Sequence, residues 1–281
     1  MNMIFLGEDS FSAHVLSTIL ELKYPVKLVV TIAYENNIHK RLELIAKKNS
    51  IPYLRVSKIN SATSLNLIRE VKPHLIFSAH FQQLLQAELL QIPKIGSVNL
   101  HPSLLPKYRG MSPQHWPIIN GDHETGVSIH FVNEGVDTGN LVVQKRLAIP
   151  KECYVSDLQR LMLPVYADVT KEALKLIEDG YRGTPQSAEG QSHYGRLKPS
   201  DVLINRNMGV KQAFAMIRAA SNPYFGATFE GVKIWKATPI REVEIMQKLP
   251  KDKGLFLFEG IHYLILSDGA LILDKVENYE R

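Results

Sequence analysis

The sequence predicts an α/β fold: a mostly parallel sheet with helices on both faces, followed by a small C-terminal β unit. Three observations predict it. Short apolar runs alternate with stretches of helical period through the first third of the chain. One run, Leu75-Ile76-Phe77-Ser78, is almost wholly apolar, as a strand covered on both faces of a parallel sheet must be. Beyond residue 206 the texture shifts to short strands separated by glycine turns.

Taken in order, residues 3–6 are an apolar strand ending at Gly7, and Ser10 and Ser12 precede a helical pattern through Val15, Leu16, Ile19 and Leu20. Residues 26–32 form a second strand, 39–48 a helix and 51–56 a third strand; residues 64–71 form a helix that Pro73 ends, because its ring cannot continue one. Strands at 75–78 and 96–100 complete a Rossmann-like arrangement. Gly7 stands alone, so no Gly-x-Gly-x-x-Gly backbone cradles a dinucleotide phosphate, and an NAD function is unsupported. Residues 125–131 alternate, with Val127, Ile129 and Phe131 on one face, and pair as a hairpin with 141–149 around the 135–139 turn. Residues 156–180 are a long amphipathic helix or helix pair, and 181–193 are rich in Gly, Pro, Ser and Gln. A helix at 210–220 and five short strands, with turns at Gly231, Gly260 and Gly269, make a small, OB-like β-barrel. The expected domains are residues 1–180, a linker over 181–205, and 206–281.

Bulk properties are those of a globular chain. The 281 residues are 45% hydrophobic and 22% charged, with a formal net charge of +5. This mild basicity suits anionic partners, or simply a basic soluble enzyme. The single cysteine, Cys153, excludes an internal disulfide and has no reactive context around it. The N-terminus has no signal-peptide pattern and no run is long enough to span a bilayer, so a cytoplasmic protein is expected. Metal-ligand spacing, a Walker sequence and a Gly-x-Ser-x-Gly elbow are all lacking, and no metal is expected.

The chemistry concentrates between residues 99 and 139. Asn99 and His101 close an apolar strand, and ligands in such sheets bind beyond the carboxyl ends of strands. Being two apart, they share a face. Pro102 restricts His101 to extended or turn geometry. With Asp137, these residues supply an amide donor for a developing oxyanion, a base, and a carboxylate to orient it. Ser103-Leu104-Leu105-Pro106 offers backbone groups and an apolar wall to a flat heterocycle. Arg109 and Gly110 lead into Met111 and then Ser112-Pro113, which reads as a helix cap with a first-turn proline and, with Arg109, as an anion seat. Trp116 stands equally well as a stacking platform or as core.

The run Asn99-x-His101-x-Ser-Leu-Leu-Pro106-x-Tyr-Arg109-Gly110, then Glu124-Thr-Gly126-Val and Asp137-Thr-Gly139, resembles the folate-dependent formyltransferases. Tyr194-Gly-Arg-Leu-Lys-Pro-Ser-Asp201, Ile217-Arg218, Pro223-Tyr224-x-Gly226 and Lys233-Ile-Trp235 resemble that family's small C-terminal barrel. The resemblance implies transfer of a formyl group from 10-formyltetrahydrofolate to an amine. Asn99 and a protonated His101 would stabilise the oxyanion, and Asp137 would orient and charge-stabilise His101. It also implies a pterin site along Phe81, Gln82, Gln83, Leu84 and Leu85, along Val132, Glu134 and Val136, and along Ser103 to Pro106. The acceptor would meet Arg109, Gly110, Met111 and Trp116.

Methionyl-tRNA formyltransferases carry a basic, Gly-rich insertion after the second strand, which is missing between Thr31 and Arg41 here. A nucleotide-linked amino sugar is therefore the first-choice acceptor, ahead of charged tRNA or a small amine such as hydroxyornithine. An RNA platform on the C-terminal unit would use Lys198, Lys211, Arg218, Lys233 and Lys236. That unit could equally serve a homodimer. A folate-sensing module without turnover is the non-enzymatic alternative, and the intact Asn99, His101 and Asp137 speak against it.

Overall fold

The computed structural model describes residues 1–33 and 40–277. The segment 34–39, where the sequence places the missing insertion and the start of the second helix, lies outside the described residues. The first strands, β1 (Met3–Gly7), β2 (Val26–Ile32), β3 (Tyr53–Val56) and β4 (Leu75–Ala79), alternate with α1 (Ser10–Glu21), α2 (Arg41–Lys48) and α3 (Ala62–Val71). The cap of α1 is Asp9, whose Oδ1 accepts from the Phe11 and Ser12 N–H groups at 3.0 and 2.9 Å. Ser61 caps α3 by accepting from Ser64 N–H, and α3 stops at the left-handed Lys72 before Pro73.

Next come α4 (Ala87–Leu90), β5 (Gly96–His101), β6 (Arg109–Gly110), α5 (Trp116–Ile119), β7 (Glu124–Phe131), β8 (Leu141–Ala148) and α6 (Val155–Glu178). The large sheet runs β3-β2-β1-β4-β5-β7-β8. Its first five strands are parallel and β7 is antiparallel to β5. The chain winds outward from β1 to β3, then returns to the other side of β1 as β4. The carboxyl ends of β1 and β4 therefore flank the topological switch point. Ile4, Leu6, Val30 and Ile76 pack one face of the sheet against Leu65, Ile68 and Leu89.

The expected helix starting at Ser112-Pro113 is corrected. Ser112 is left-handed, with φ of 56°, and its hydroxyl accepts from Leu197 N–H instead of capping a first turn. The helix starts only at Trp116 and lasts one turn. No helix N-terminus beside Arg109 is available to seat an anion.

The rest comprises β9 (His193–Tyr194), a 3-10 turn (Pro199–Val202), β10 (Leu203–Ile204), α7 (Val210–Ala220), β11 (Ala227–Phe229), β12 (Val232–Pro239), α8 (Val243–Lys248), β13 (Gly254–Phe258), β14 (Ile261–Ile265) and β15 (Ala270–Glu277). Its six strands pair as β10-β11-β12-β15-β14-β13, antiparallel except for β10 with β11. Alternation buries both faces. Leu264, Leu271 and Leu273 join Phe214 and Ile217 of α7, while Tyr263, Ile265 and Ala270 join Ile245 and Met246 of α8. Helix α8 has no counterpart in the sequence reading, because six residues are too few for a helical period to show.

The chain divides into two compact units: residues 1–110, 126–147 and 161–193 form one, and 111–125, 148–160 and 194–281 the other. Among the described residues no helix is long and apolar enough to cross a membrane.

Candidate active site

The site is built on paired strand ends. In the β5–β7 ladder Asn99 lies opposite His130, and His101 opposite Ser128. The loop after β7 brings Asp137 back toward them. That loop is ordered by Asn133, whose Oδ1 accepts from the Gly135 N–H at 3.1 Å and from the Thr138 hydroxyl at 2.7 Å. Gly139 closes it where no side chain fits, since a Cβ there would lie 1.7 Å from the Phe131 carbonyl oxygen.

Asp137 Oδ2 accepts from the Gly110 N–H at 2.8 Å and lies 3.6 Å from His101 Nδ1, while Oδ1 lies 3.4 Å from His130 Nε2. Asn99 Nδ2 is 3.4 Å from the same His130 nitrogen. The three side chains singled out in the sequence thus converge, with a second imidazole among them. His130 is the functional candidate that sequence reasoning missed. The alternation placing Val127, Ile129 and Phe131 on one face puts His130 on the other. Only the non-local register of β5 with β7 sets it beside Asn99.

Hydrogen bonds fix the tautomers. His101 Nε2 is 2.8 Å from the Tyr108 carbonyl, and His130 Nδ1 is 2.8 Å from the Phe131 carbonyl. A carbonyl only accepts, so those nitrogens carry hydrogen. The other nitrogen of each, His101 Nδ1 and His130 Nε2, is turned to Asp137. Burial pushes the His101 imidazole below its ordinary value, and the Asp137 charge and the Tyr108 carbonyl only partly oppose it. Burial pushes the Asp137 carboxyl up, but His101, His130 and the Gly110 N–H outweigh it and hold the group well below the usual carboxylate range. Against the expected role of a protonated His101 as oxyanion donor stand its burial and its contact with the Tyr108 carbonyl. Its Nε2–H is committed to Tyr108, and desolvation outweighs the single carboxylate in the direction of its shift.

The loop that aims His101 is welded to β7 and β8. Ser128 Oγ donates to the Ser103 carbonyl at 2.6 Å, and Gln144 donates to the Leu105 carbonyl at 2.8 Å. Ser103 Oγ donates to the Lys107 carbonyl at 2.7 Å, and Leu105 is buried. Leu104 packs over Gly126, where a Cβ would come within 2.4 Å of it. The side chains of Ser103, Leu104 and Leu105, next to Pro106, are therefore spent on holding the loop.

In the segment after β4, Gln83 Oε1 accepts from the Ile59 N–H at 2.7 Å and its Nε2 donates to the Ser57 carbonyl at 2.8 Å. Gln82 N–H donates to Glu8 Oε1 at 2.5 Å. Leu85 joins the core, with Phe81 and Val132 packed against the same cluster. Leu84 is 69% exposed. Glu134 is exposed and Val136 half-buried.

Arg109 Nη2 donates to Gln186 Oε1 at 2.7 Å and Nη1 to Gln191 Oε1 at 3.2 Å. Gln186 Nε2 in turn donates to the carbonyls of Asp137 and Gly139 at 2.7 and 2.8 Å. Gln186 lies in the segment read from sequence as linker, which carried no signal for it. Met111 and Trp116 belong to the second unit, where the Trp116 indole donates to the Gly195 carbonyl at 3.0 Å and its ring lies 4.8 Å from that of Tyr194. Cys153 is buried there, and burial pushes its thiol up to about 11. Among the described residues no cluster of His, Cys, Asp or Glu could hold a metal ion.

Two buried imidazoles set a pH response. Burial holds His101, and His115 in the second unit, below the ordinary 6.5. The unfolded chain regains ordinary affinity and binds more protons as pH falls below that value, so stability present above it is lost on acidification. The melting temperature is expected to be highest above about pH 6.5 and to drop toward pH 5. A flat melting curve across that window would contradict neutral buried rings. The depressed Asp137 acts with the same sign at lower pH, its contribution being lost below its ordinary 3.8.

Residues 1–169 match the Formyl transferase family. A methionyl-tRNA formyltransferase of Pelotomaculum thermopropionicum is 31% identical over 252 residues, covering 86% of this chain and 80% of its own. Among solved structures, WlaRD, a sugar 3N-formyl transferase crystallised with dTDP and 5-N-formyl-THF, has a TM-score of 0.76 at 22% identity, covering 100% of this chain and 99% of its own. An N-formyltransferase from Helicobacter canadensis, in complex with folinic acid and dTDP-3-aminofucose, has a TM-score of 0.75 at 23% identity, covering 98% and 99%. The structural likeness speaks for the fold and the sequence matches for descent: the chain belongs to the folate-dependent formyltransferase family.

Proposed function

We propose that the protein transfers the formyl group of 10-formyltetrahydrofolate to the primary amine of a phosphate-bearing acceptor, in first place a nucleotide-linked amino sugar. The convergence of Asn99, His101 and His130 on the Asp137 carboxylate supports the reaction. The neutral amine attacks the formyl carbon, a carbon–nitrogen bond forms, and the carbonyl electron pair moves to oxygen. One Asn99 amide hydrogen faces His130 and leaves the other for that oxygen. The amine proton passes to a bare imidazole nitrogen, His101 Nδ1 in first place, and the resulting imidazolium is held by Asp137. Collapse re-forms the carbonyl, breaks the bond to the folate nitrogen, and returns the proton to that leaving nitrogen. Phe81, Val132 and the exposed Leu84 fit the flat pterin, and the anchors on Gln82 and Gln83 fix the backbone that would read its edge.

One observation carries the acceptor class. Arg109 is held by two neutral glutamines, so its charge meets no carboxylate in these contacts, and it adjoins Gly110, the donor to Asp137. A guanidinium so placed is ready for a phosphate. Nucleotide-linked sugars and tRNA both offer phosphate, and relatives at about 30% identity are methionyl-tRNA formyltransferases. The RNA platform loses a member, however. Arg218 is only 8% exposed, donates to the Cys153 carbonyl at 3.1 Å and lies over the Phe214 ring.

Formylation assays with 10-formyltetrahydrofolate, a panel of nucleotide-linked amino sugars and charged initiator tRNA test the reading. Turnover of a sugar amine is expected, with Arg109→Gln raising its KM by roughly 10- to 100-fold, the worth of charged hydrogen bonds. Turnover of the tRNA alone would move the acceptor to RNA.

A further inference from the structure

The switch point between β1 and β4, where open α/β sheets commonly take a ligand, is bridged in this chain by its own side chains. Asp9 spends Oδ1 on the first amides of α1 and presents Oδ2 to His80 Nδ1 at 3.0 Å. His80 follows β4 directly and its backbone is left-handed, with φ of 51°, a conformation uncommon outside glycine. Its other nitrogen, Nε2, lies 3.0 Å from the hydroxyl of Tyr166, which is fully buried on α6. A carboxylate only accepts, so Nδ1 carries the hydrogen, and Nε2 pairs with the tyrosine hydroxyl. Phe11 stacks on the imidazole with centroids 5.4 Å apart. Burial pushes the Asp9 carboxyl up, but His80 and the helix amides outweigh it and leave it below the ordinary carboxylate value. Two residues on, Gln82 N–H is tied to the buried Glu8. The catalytic arrangement around Asp137 uses none of these groups.

We propose that Asp9, His80 and Tyr166 form a positioning clamp that forces the left-handed exit from β4 and so sets residues 81–85 as the formyl-donor seat. This rests on the reading of that segment as the donor site. The clamp acts on donor affinity, and its hydrogen bonds run to Asp9, Tyr166 and the first amides of α1 instead of to Asn99, His101, His130 or Asp137. The left-handed turn brings the chain from the strand end into a loop that Glu8 and Gln83 then pin at further points.

Two variants of the full chain separate anchoring from turn geometry. Tyr166→Phe removes one hydroxyl and keeps the ring. His80→Gly removes both side-chain bonds while permitting the positive φ. Each is expected to weaken binding of 5-formyltetrahydrofolate, a donor analogue, by about fivefold or more, and to raise KM for 10-formyltetrahydrofolate by a similar factor. The acceptor KM and kcat are expected to stay within about twofold, a change too small to mark the loss of even one net hydrogen bond. His80→Asn, which tolerates the left-handed backbone and offers an amide to Asp9, is expected to recover part of the affinity.

Unchanged donor binding in folded Tyr166→Phe and His80→Gly protein overturns the clamp. A joint fall in kcat and rise in both KM values also overturns it, since that pattern marks general damage. Should His80→Gly fail to fold, the donor affinity of Tyr166→Phe decides alone. A wild-type protein that binds no folate overturns the functional reading itself, whereas wild-type binding with unaffected variants overturns only the clamp.

Discussion

Asp137→Asn is expected to lower kcat by about a thousandfold while leaving the protein folded. The Gly110 N–H needs an acceptor, so the amide oxygen of the variant takes the position of Oδ2, 2.8 Å from that nitrogen. The NH2 group then lies where Oδ1 was, 3.4 Å from His130 Nε2, and can donate to it. Polar groups therefore stay satisfied, and the fold survives. Function does not, because the negative charge that holds an imidazolium is gone and His101 must carry the amine's proton uncompensated in a desolvated place. The acid loss of stability assigned to the carboxylate should vanish with it. Steady-state kinetics beside thermal melts from pH 8 to pH 3 read both effects. A variant within about tenfold of the wild-type kcat would remove Asp137 from the mechanism, since that is less than general acid–base catalysis contributes.

Asn99→Ala is expected to cost about 10²- to 10³-fold in kcat with little change in either KM, the signature of a donor that matters only as charge develops. Asn99 is half-buried at the end of β5, facing His130 across the ladder. Truncation removes an amide without opening the core, so stability should fall by no more than about 1–2 kcal/mol. Asn99→Asp is a useful companion. It keeps the shape but replaces the donor by an acceptor and adds a carboxylate near Asp137, so it should be at least as impaired. An Asn99→Ala enzyme whose loss lay wholly in KM would assign the residue to substrate binding instead of oxyanion stabilisation.

Local pattern made much of this molecule readable. The strand–helix alternation from Met3 to Ala79, the buried central strand β4 and the short strands after Ala227 are visible because side-chain period reports which face is covered. Asn99, His101 and Asp137 could be named because proline and glycine mark the backbone around them. Ser112 misled for a related reason. A serine before a proline has the composition of a helix cap, and only its contact with Leu197 N–H shows that the hydroxyl is engaged elsewhere. His130, Gln186 and the Asp9–His80–Tyr166 contacts left no local trace, since their partners lie 7, 49, 71 and 86 residues away.

The sequence alone determined the order of elements, the strand ends at which chemistry collects and the family resemblance, because each is written in short-range periodicity or in one contiguous motif. The tertiary structure decided which nitrogen of His101 faces Asp137, that burial disfavours the ring's charge, that a second imidazole flanks Asp137, and that Arg109 is held by amides. Those properties depend on desolvation and on hydrogen-bond partners brought in from distant strands and loops, and neither quantity exists until the chain has folded.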